Sequence, residues 1–502
     1  MAATGLVAIA LLTPIAIQAQ EQGLRADQRA VVEHWTQARR AAAIPRDLVL
    51  DAQGRAYLRR PDGSLEPYGT QRAAQLRGEP VPQARPPGAG GGGGGGGGGD
   101  GGSSDTTGPV IGDMLPADGT VIGTSQLFSA VVTDASGIKS VAFVITYPNG
   151  STTQSFKPGF VGNDTWAITL QGFSDGNWSW HVVAKDKAGK GGNTTTSPSV
   201  GFTVASGGGG TGGGGDQVTT NAPWAAGGAV QSAAGRIYFE MPANPNRTRW
   251  NGYVCSGTTA SDDTGGRSVI ITAAHCVYDD ANKAFARNVL FIPDQDGTSG
   301  SGTDLNCAND PYGCWVPSFG VVDANWTSRT FPDNIPWDYA YYVVPDEGAH
   351  SGTGTSSESL DGVVGSLPLS FVAPQVDDGV PGAESPDFTH ALGYSYSDDP
   401  NFMFCAEDMT TEGAANWWLP SCDLSGGSSG GPWVQPMNLT SGAGPIISVN
   451  SWGYTTSPGM AGPFLDSTSA QCLLGWAVAA DFAAIPATEG EAGLAVDPGD
   501  CP

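Results

Sequence analysis

Basic side chains are scarce in this sequence: 23 Lys and Arg stand against 49 Asp and Glu, a formal net charge of -26, and none occurs after Arg329. A surface this acidic repels phosphate backbones and anionic headgroups, which excludes nucleic acid and anionic membrane surfaces as partners. No apolar run reaches the roughly 20 residues a membrane span needs, so no stable membrane insertion is expected. Cysteine is missing before Cys255, and neither a Cys-x-x-Cys pair nor a His-rich spacing is present. Zinc binding is therefore disfavoured, and no metal or other cofactor is expected.

What is present divides the chain by composition. Leu6 to Ile17 is a short apolar run ending at Ile17-Gln18-Ala19, so residues 1–19 read as a secretion signal, although a basic leading region is lacking. The protein is accordingly expected outside the cytoplasm, extracellular or periplasmic. Residues 20–87 are polar and arginine-rich. Val31, Val32, Trp35 and Ala38 fit one face of a short helix, and Leu48–Leu50 and Ala56–Leu58 flank a hairpin turn at Asp51–Gly54. A pro-segment, a docking element and a spacer are all compatible with this stretch. Residues 88–104 and 206–216 are glycine-rich linkers.

Between the linkers, residues 105–205 carry strand-like runs (Leu127–Val132, Val141–Tyr147, Trp166–Leu170, Trp178–Ala184) with turn dipeptides at spacings of about ten residues, the rhythm of a β-sandwich. Residues 217–502 hold further strand-like runs, including Val269–Thr272, Val289–Ile292, Tyr339–Val344 and Ile446–Ser451, among Gly-, Pro- and Asp-rich loops. Long amphipathic helical patterns are absent, and the expected fold class is all-β. All 8 cysteines (Cys255, Cys276, Cys307, Cys314, Cys405, Cys422, Cys472 and Cys501) fall in this last segment. An even count in an exported chain suggests disulfides. Cys405 with Cys422 and Cys307 with Cys314 are the preferred local pairs.

Three motifs carry chemistry, in this order: Thr272-Ala273-Ala274-His275-Cys276, Trp337-Asp338-Tyr339-Ala340, and Gly426-Gly427-Ser428-Ser429-Gly430-Gly431-Pro432. A serine hydroxyl is a poor nucleophile unless a neutral imidazole takes its proton, and a buried carboxylate must hold that imidazole in one tautomer. Glycines beside the serine let amide N–H groups turn toward a developing oxyanion.

In these motifs the segment 217–502 resembles the chymotrypsin/trypsin family of serine proteases, in particular its bacterial branch related to the glutamyl endopeptidases. The resemblance implies a two-barrel Greek-key domain and endopeptidase activity on protein or peptide substrates. His275 would be the general base, Asp338 the orienting carboxylate and Ser429 the nucleophile, with the Gly427 and Ser429 amides as oxyanion hole. It also implies a Cys255–Cys276 disulfide around the histidine loop, which together with the two local pairs leaves Cys472 with Cys501, and a substrate-pairing strand at Ser451-Trp452-Gly453. Residues 105–205, through Asp105-Thr-Thr-Gly-Pro109 and Ala184-Lys-Asp-Lys-Ala-Gly189, resemble bacterial immunoglobulin-like repeats. Such a module would take a surface or polymer ligand or serve as a spacer.

The match has departures. Ser428 stands where animal digestive proteases have the aspartate that pairs with a newly cut amino terminus, so that route of activation is not expected. Removal of the N-terminal segment could instead uncover the cleft. Asp423, six residues before Ser429, occupies the position at which a carboxylate selects Lys or Arg, whereas glutamate selectivity would call for a basic group or a histidine such as His350 or His390. Asp294-Gln295-Asp296-Gly297 lacks the twelfth-position Glu of a calcium loop and reads as a solvated turn. The competing reading of the whole is a catalytically inactive, protease-like binding or adhesion protein.

Overall fold

The structure is a computed structural model that describes residues 26–51, 53–71, 77–79, 105–122, 125–162, 164–174, 176–188, 191–204, 218–300, 306–352, 358–376, 386–398, 400–413, 415–488 and 491–502. The expected signal 1–19 and the glycine runs 88–104 and 206–216 lie outside the described residues. The architecture is mostly β, in line with the alternating sequence pattern.

Residues 105–204 form two facing sheets. One has the order Thr153–Phe156, Ile138–Thr146, Gly176–Asp186, Val200–Val204, Thr120–Ile122; the other runs Gly159–Gly162, Thr165–Gln171, Ser125–Thr133, Val110–Leu115. Alternate residues of Gly176–Asp186 point inward, so Trp178 and Trp180 meet Phe128, Phe143 and Phe202 in one shared core. The buried Trp180 indole donates to the Pro116 carbonyl at 3.1 Å, which removes the cost of an unpaired N–H.

From residue 218 onward, strands Arg287–Pro293, Ala234–Pro242, Trp250–Ala260, Arg267–Thr272, Ala340–Pro345, Phe319–Asp323 and Glu491–Val496 pair in that order. The Arg287 to Glu491 pairing joins the last strand to the first and closes the ring, leaving this part of the sheet without an open edge. Two further sheets follow. One joins Thr219–Pro223, Met403–Asp408, Phe388–Gly393, Pro432–Val434 and Ile446–Val449. The other runs Thr410–Glu412, Asn416–Leu419, Met460–Pro463, Trp452–Tyr454 and then into the N-terminal segment through Asp47–Leu50, Ala56–Arg59 and Leu65–Pro67.

The hairpin expected around Asp51–Gly54 is therefore present, but the strand it pairs with, Trp452–Tyr454, lies toward the other end of the chain. The expected N-terminal helix is broken: Ala26–His34 and Gln37–Ala41 are separate, with the Thr36 hydroxyl capping the second. Trp35 is buried against Tyr238, while Ala38 faces solvent and Arg40 is buried in its place. The helix Ala470–Ala479 was not expected; it is apolar nearly all round, so it has no amphipathic period to read.

The disulfides are Cys255–Cys276, Cys307–Cys314, Cys405–Cys422 and Cys472–Cys501. Among the described residues no helix is long and apolar enough to cross a membrane. Cys255–Cys276 closes a sequence separation of 21 residues between strand Trp250–Ala260 and the turn that follows strand Arg267–Thr272, so the double variant Cys255→Ala/Cys276→Ala should lower the unfolding free energy by about 3 kcal/mol, read from the denaturant midpoint.

Candidate active site

Strand Arg267–Thr272 ends in a single 3-10 turn, Ala274–Cys276, pinned by the Cys255 disulfide. This turn carries His275 to the surface of Asp338. The His275 main-chain N–H donates to Asp338 Oδ1 at 2.9 Å, and Nδ1 lies 2.7 Å from Oδ2. A carboxylate only accepts, so Nδ1 carries the proton and Nε2 is left as the basic nitrogen. The Ser451 hydroxyl also donates to Asp338 Oδ2. Neither His275 nor Asp338 has any exposure to solvent. Ser451, expected on a substrate-pairing strand, lies just before strand Trp452–Tyr454 and orients the carboxylate.

Ser429 sits on a tight loop whose glycines are required by geometry. Gly427 has φ +96°, a region that side chains rarely enter. Gly430 has φ +81°, and a Cβ there would lie 2.1 Å from Thr272 Oγ1 and 2.4 Å from the Ser256 carbonyl oxygen. The loop is therefore pressed against the strand that ends at His275. Among the described residues, no acceptor meets the Gly427 or Ser429 amide N–H. The Ser428 hydroxyl donates to the Ser425 carbonyl at 2.8 Å.

Two residues that sequence reasoning missed hold this loop. Ser256 receives the Tyr394 N–H at 2.8 Å and donates to the Gly427 carbonyl at 2.9 Å, while its own N–H donates to the Ser429 carbonyl at 2.7 Å. Asn450 accepts from the Trp433 indole and donates to the Leu392 and Ser428 carbonyls. Their adjacency to Cys255 and Ser451 was the only available signal.

A pocket beside Ser429 is lined by Asp423, Ser425, Gly426, Ser451, Trp452 and Gly453 together with Asp47 and Arg59 of the N-terminal segment. About 40 Å³ of it is open, room for water and not for a peptide side chain. Asp423 is exposed at its mouth rather than buried at its base. His350 stacks on Trp315, and His390 lies among Trp224, Phe388 and Phe404, where burial pulls its pKa down to about 4. Neither histidine lines the pocket. Asp294 and Asp296 are half-buried rather than solvated, and Asp294 accepts from Gln231 at 3.0 Å. Cys255, His275 and Cys276 converge, but both sulfurs are tied up in the disulfide and are not metal ligands.

The N-terminal segment crosses this site. The Ser429 hydroxyl donates to the Arg46 carbonyl at 3.0 Å, and His275 Nε2 is buried without a hydrogen-bond partner among the described residues. Burial pushes the Asp47 carboxyl up to about 6 from an ordinary 3.8, against the opposing pull of Arg59 and His275.

No family model and no curated protein matches the chain. Among solved structures it is similar to fibronectin(III)-like modules of CbhA from Clostridium thermocellum (19% identity, 19% of this chain and 94% of that one, TM-score 0.15) and to murine CRIg (8% identity, 19% and 98%, TM-score 0.15). It is also similar to a cycloalternan-degrading enzyme from Trueperella pyogenes (13% identity, 46% and 29%, TM-score 0.15). At these TM-scores the likenesses carry no argument about fold or function.

Two outcomes follow from the geometry. Asn450→Ala strips three buried hydrogen bonds and should cost about 2–4 kcal/mol of stability in a denaturant titration. Because the folded state holds the Asp47 proton more tightly than the unfolded chain does, the stability this group adds below about pH 4 is lost as pH rises through about 6. Thermal melts of wild type and Asp47→Asn should therefore diverge between about pH 4 and pH 7, the wild type losing ground as pH rises.

Proposed function

We propose that the protein is a secreted serine endopeptidase in which Ser429 is the nucleophile, His275 the general base and Asp338 the carboxylate that orients it. The observation that carries this reading is the buried Asp338 carboxylate bonded to His275 Nδ1 at 2.7 Å, with the free Nε2 and the Ser429 loop at the same site. In this reading His275 Nε2 takes the Ser429 proton as Oγ attacks the peptide carbonyl carbon. The oxyanion then lies against the Gly427 and Ser429 amides, which have no other acceptor among the described residues. The protonated imidazole gives its proton to the leaving amine, and water releases the acyl group through the same base.

The closed ring of seven strands beside a second group of sheets, with the proposed triad drawn from both, supports a two-barrel trypsin-like domain. The two facing sheets of residues 105–204 support an immunoglobulin-like module upstream of it. Four disulfides support an oxidising, extracytoplasmic location.

Prolonged incubation with a fluorophosphonate should label Ser429, identified by peptide mass spectrometry, and Ser429→Ala should take no label. His275→Ala and Asp338→Asn should each take the label far more slowly than wild type. A folded wild type that never labels would overturn the reading.

A further inference from the structure

In this structure the proposed site is shut. Ser429 is 5% exposed and His275 fully buried, so no polypeptide substrate reaches them. What covers them is a continuous stretch of the same chain. Ile44 and Pro45 run parallel to Tyr253 and Val254, and the Arg46 N–H donates to the Val254 carbonyl at 3.2 Å. The next residues, Leu48, Val49 and Leu50, pair in parallel with Trp452, Gly453 and Tyr454, and the Thr455 N–H donates to the Leu50 carbonyl at 2.9 Å. Between the two pairings, the Arg46 carbonyl lies at the Ser429 hydroxyl.

The contact with Ser429 is a carbonyl, yet its geometry does not lead to attack. The Ser429 hydroxyl donates to the carbonyl oxygen, and His275 Nε2 has no hydrogen-bond partner among the described residues, so the nucleophile's proton is committed away from its base. The carbonyl oxygen is not on the Gly427 or Ser429 amides, which keep no acceptor among the described residues, and so the carbon is not polarised for addition. Deprotonation and oxyanion stabilisation are thus both missing while the strand is in place.

The strand is anchored by a side chain rather than by its backbone alone. The Arg46 guanidinium, 1% exposed, donates from Nε to the His275 carbonyl at 3.1 Å and from Nη2 to the Tyr68 hydroxyl at 2.7 Å. It lies 5.0 Å from the ring centres of both Tyr68 and Tyr253 and faces Asp279 at 3.8 Å. Tyr68 in turn donates to the buried Asp280. At Gly426, a Cβ would sit 2.5 Å from that of Asp47 and 3.0 Å from that of Pro45, so the nucleophile loop is shaped closely around the strand.

We propose that residues 44–50 are an intramolecular inhibitor of the Ser429 site, anchored by the buried Arg46 guanidinium, which hold the full chain latent by capturing the Ser429 hydroxyl on the Arg46 carbonyl. This rests on the reading of Ser429 as nucleophile. The test compares full-length wild type, Arg46→Ala and the milder Tyr68→Phe in two ways: the rate of fluorophosphonate labelling at Ser429, and hydrogen exchange at the backbone amides of position 46 and of Thr455. Wild type should label slowly with both amides protected. Arg46→Ala should label at least tenfold faster, Tyr68→Phe to a smaller degree, and amide exchange should quicken in the same order. Rapid labelling of wild type, at the rate of both variants, overturns the inhibitor while leaving the nucleophile intact. Variants that loosen the strand by exchange but never label overturn the reading of Ser429 and the inhibitor with it. Unchanged labelling and exchange in both variants overturns the role given to Arg46.

Discussion

The Asp338 carboxylate has no contact with solvent, and a buried charge of this kind is tolerated only when its lone pairs are met. Three donors meet them: the His275 main chain, the His275 ring and the Ser451 hydroxyl. They arrive from two elements, the turn that ends strand Arg267–Thr272 and the chain entering strand Trp452–Tyr454. Satisfying Asp338 therefore draws the closed ring and the second group of sheets together at one seam. The Ser429 loop is laid into that seam by Ser256 from one side and Asn450 from the other, and Gly430 lets it come close enough.

A seam so arranged has donors and a base facing a line that an extended chain can fill. The Gly427 and Ser429 amides and the Trp452–Tyr454 strand offer hydrogen bonds to an extended chain. In the proposed latent form that chain is the protein's own, and its occupancy costs the burial of one guanidinium. The Tyr68, Tyr253 and Asp279 surroundings and the His275 carbonyl offset this burial. On this view, the anchor that places the inhibitory strand and the backbone that carries the base are joined by a single hydrogen bond. Loosening of the one is felt directly at the other.

Much of the site is local and so was legible in the residues. Gly-Ser-Ser-Gly-Gly permits a tight turn, His275 closely follows an apolar strand, and the cysteine pairs nearest in sequence are those that bond. Asp423 and the two spare histidines were placed less well, because whether a side chain lines a pocket depends on how loops fold over it. His390 ended among aromatic rings and Asp423 in solvent. The helix Ala470–Ala479 left no trace because an element apolar on every face has no period.

The sequence by itself determined the strand-rich class and the order of His275, Asp338 and Ser429, since each depends on neighbours within a few positions. The tertiary structure alone decided what those residues face. The Arg46 carbonyl and the Ser429 hydroxyl are 383 positions apart, and Ser256 and the Gly427 carbonyl 171. No periodicity or propensity extends over such distances; only the closure of the sheets and the burial of their charges brings such pairs together.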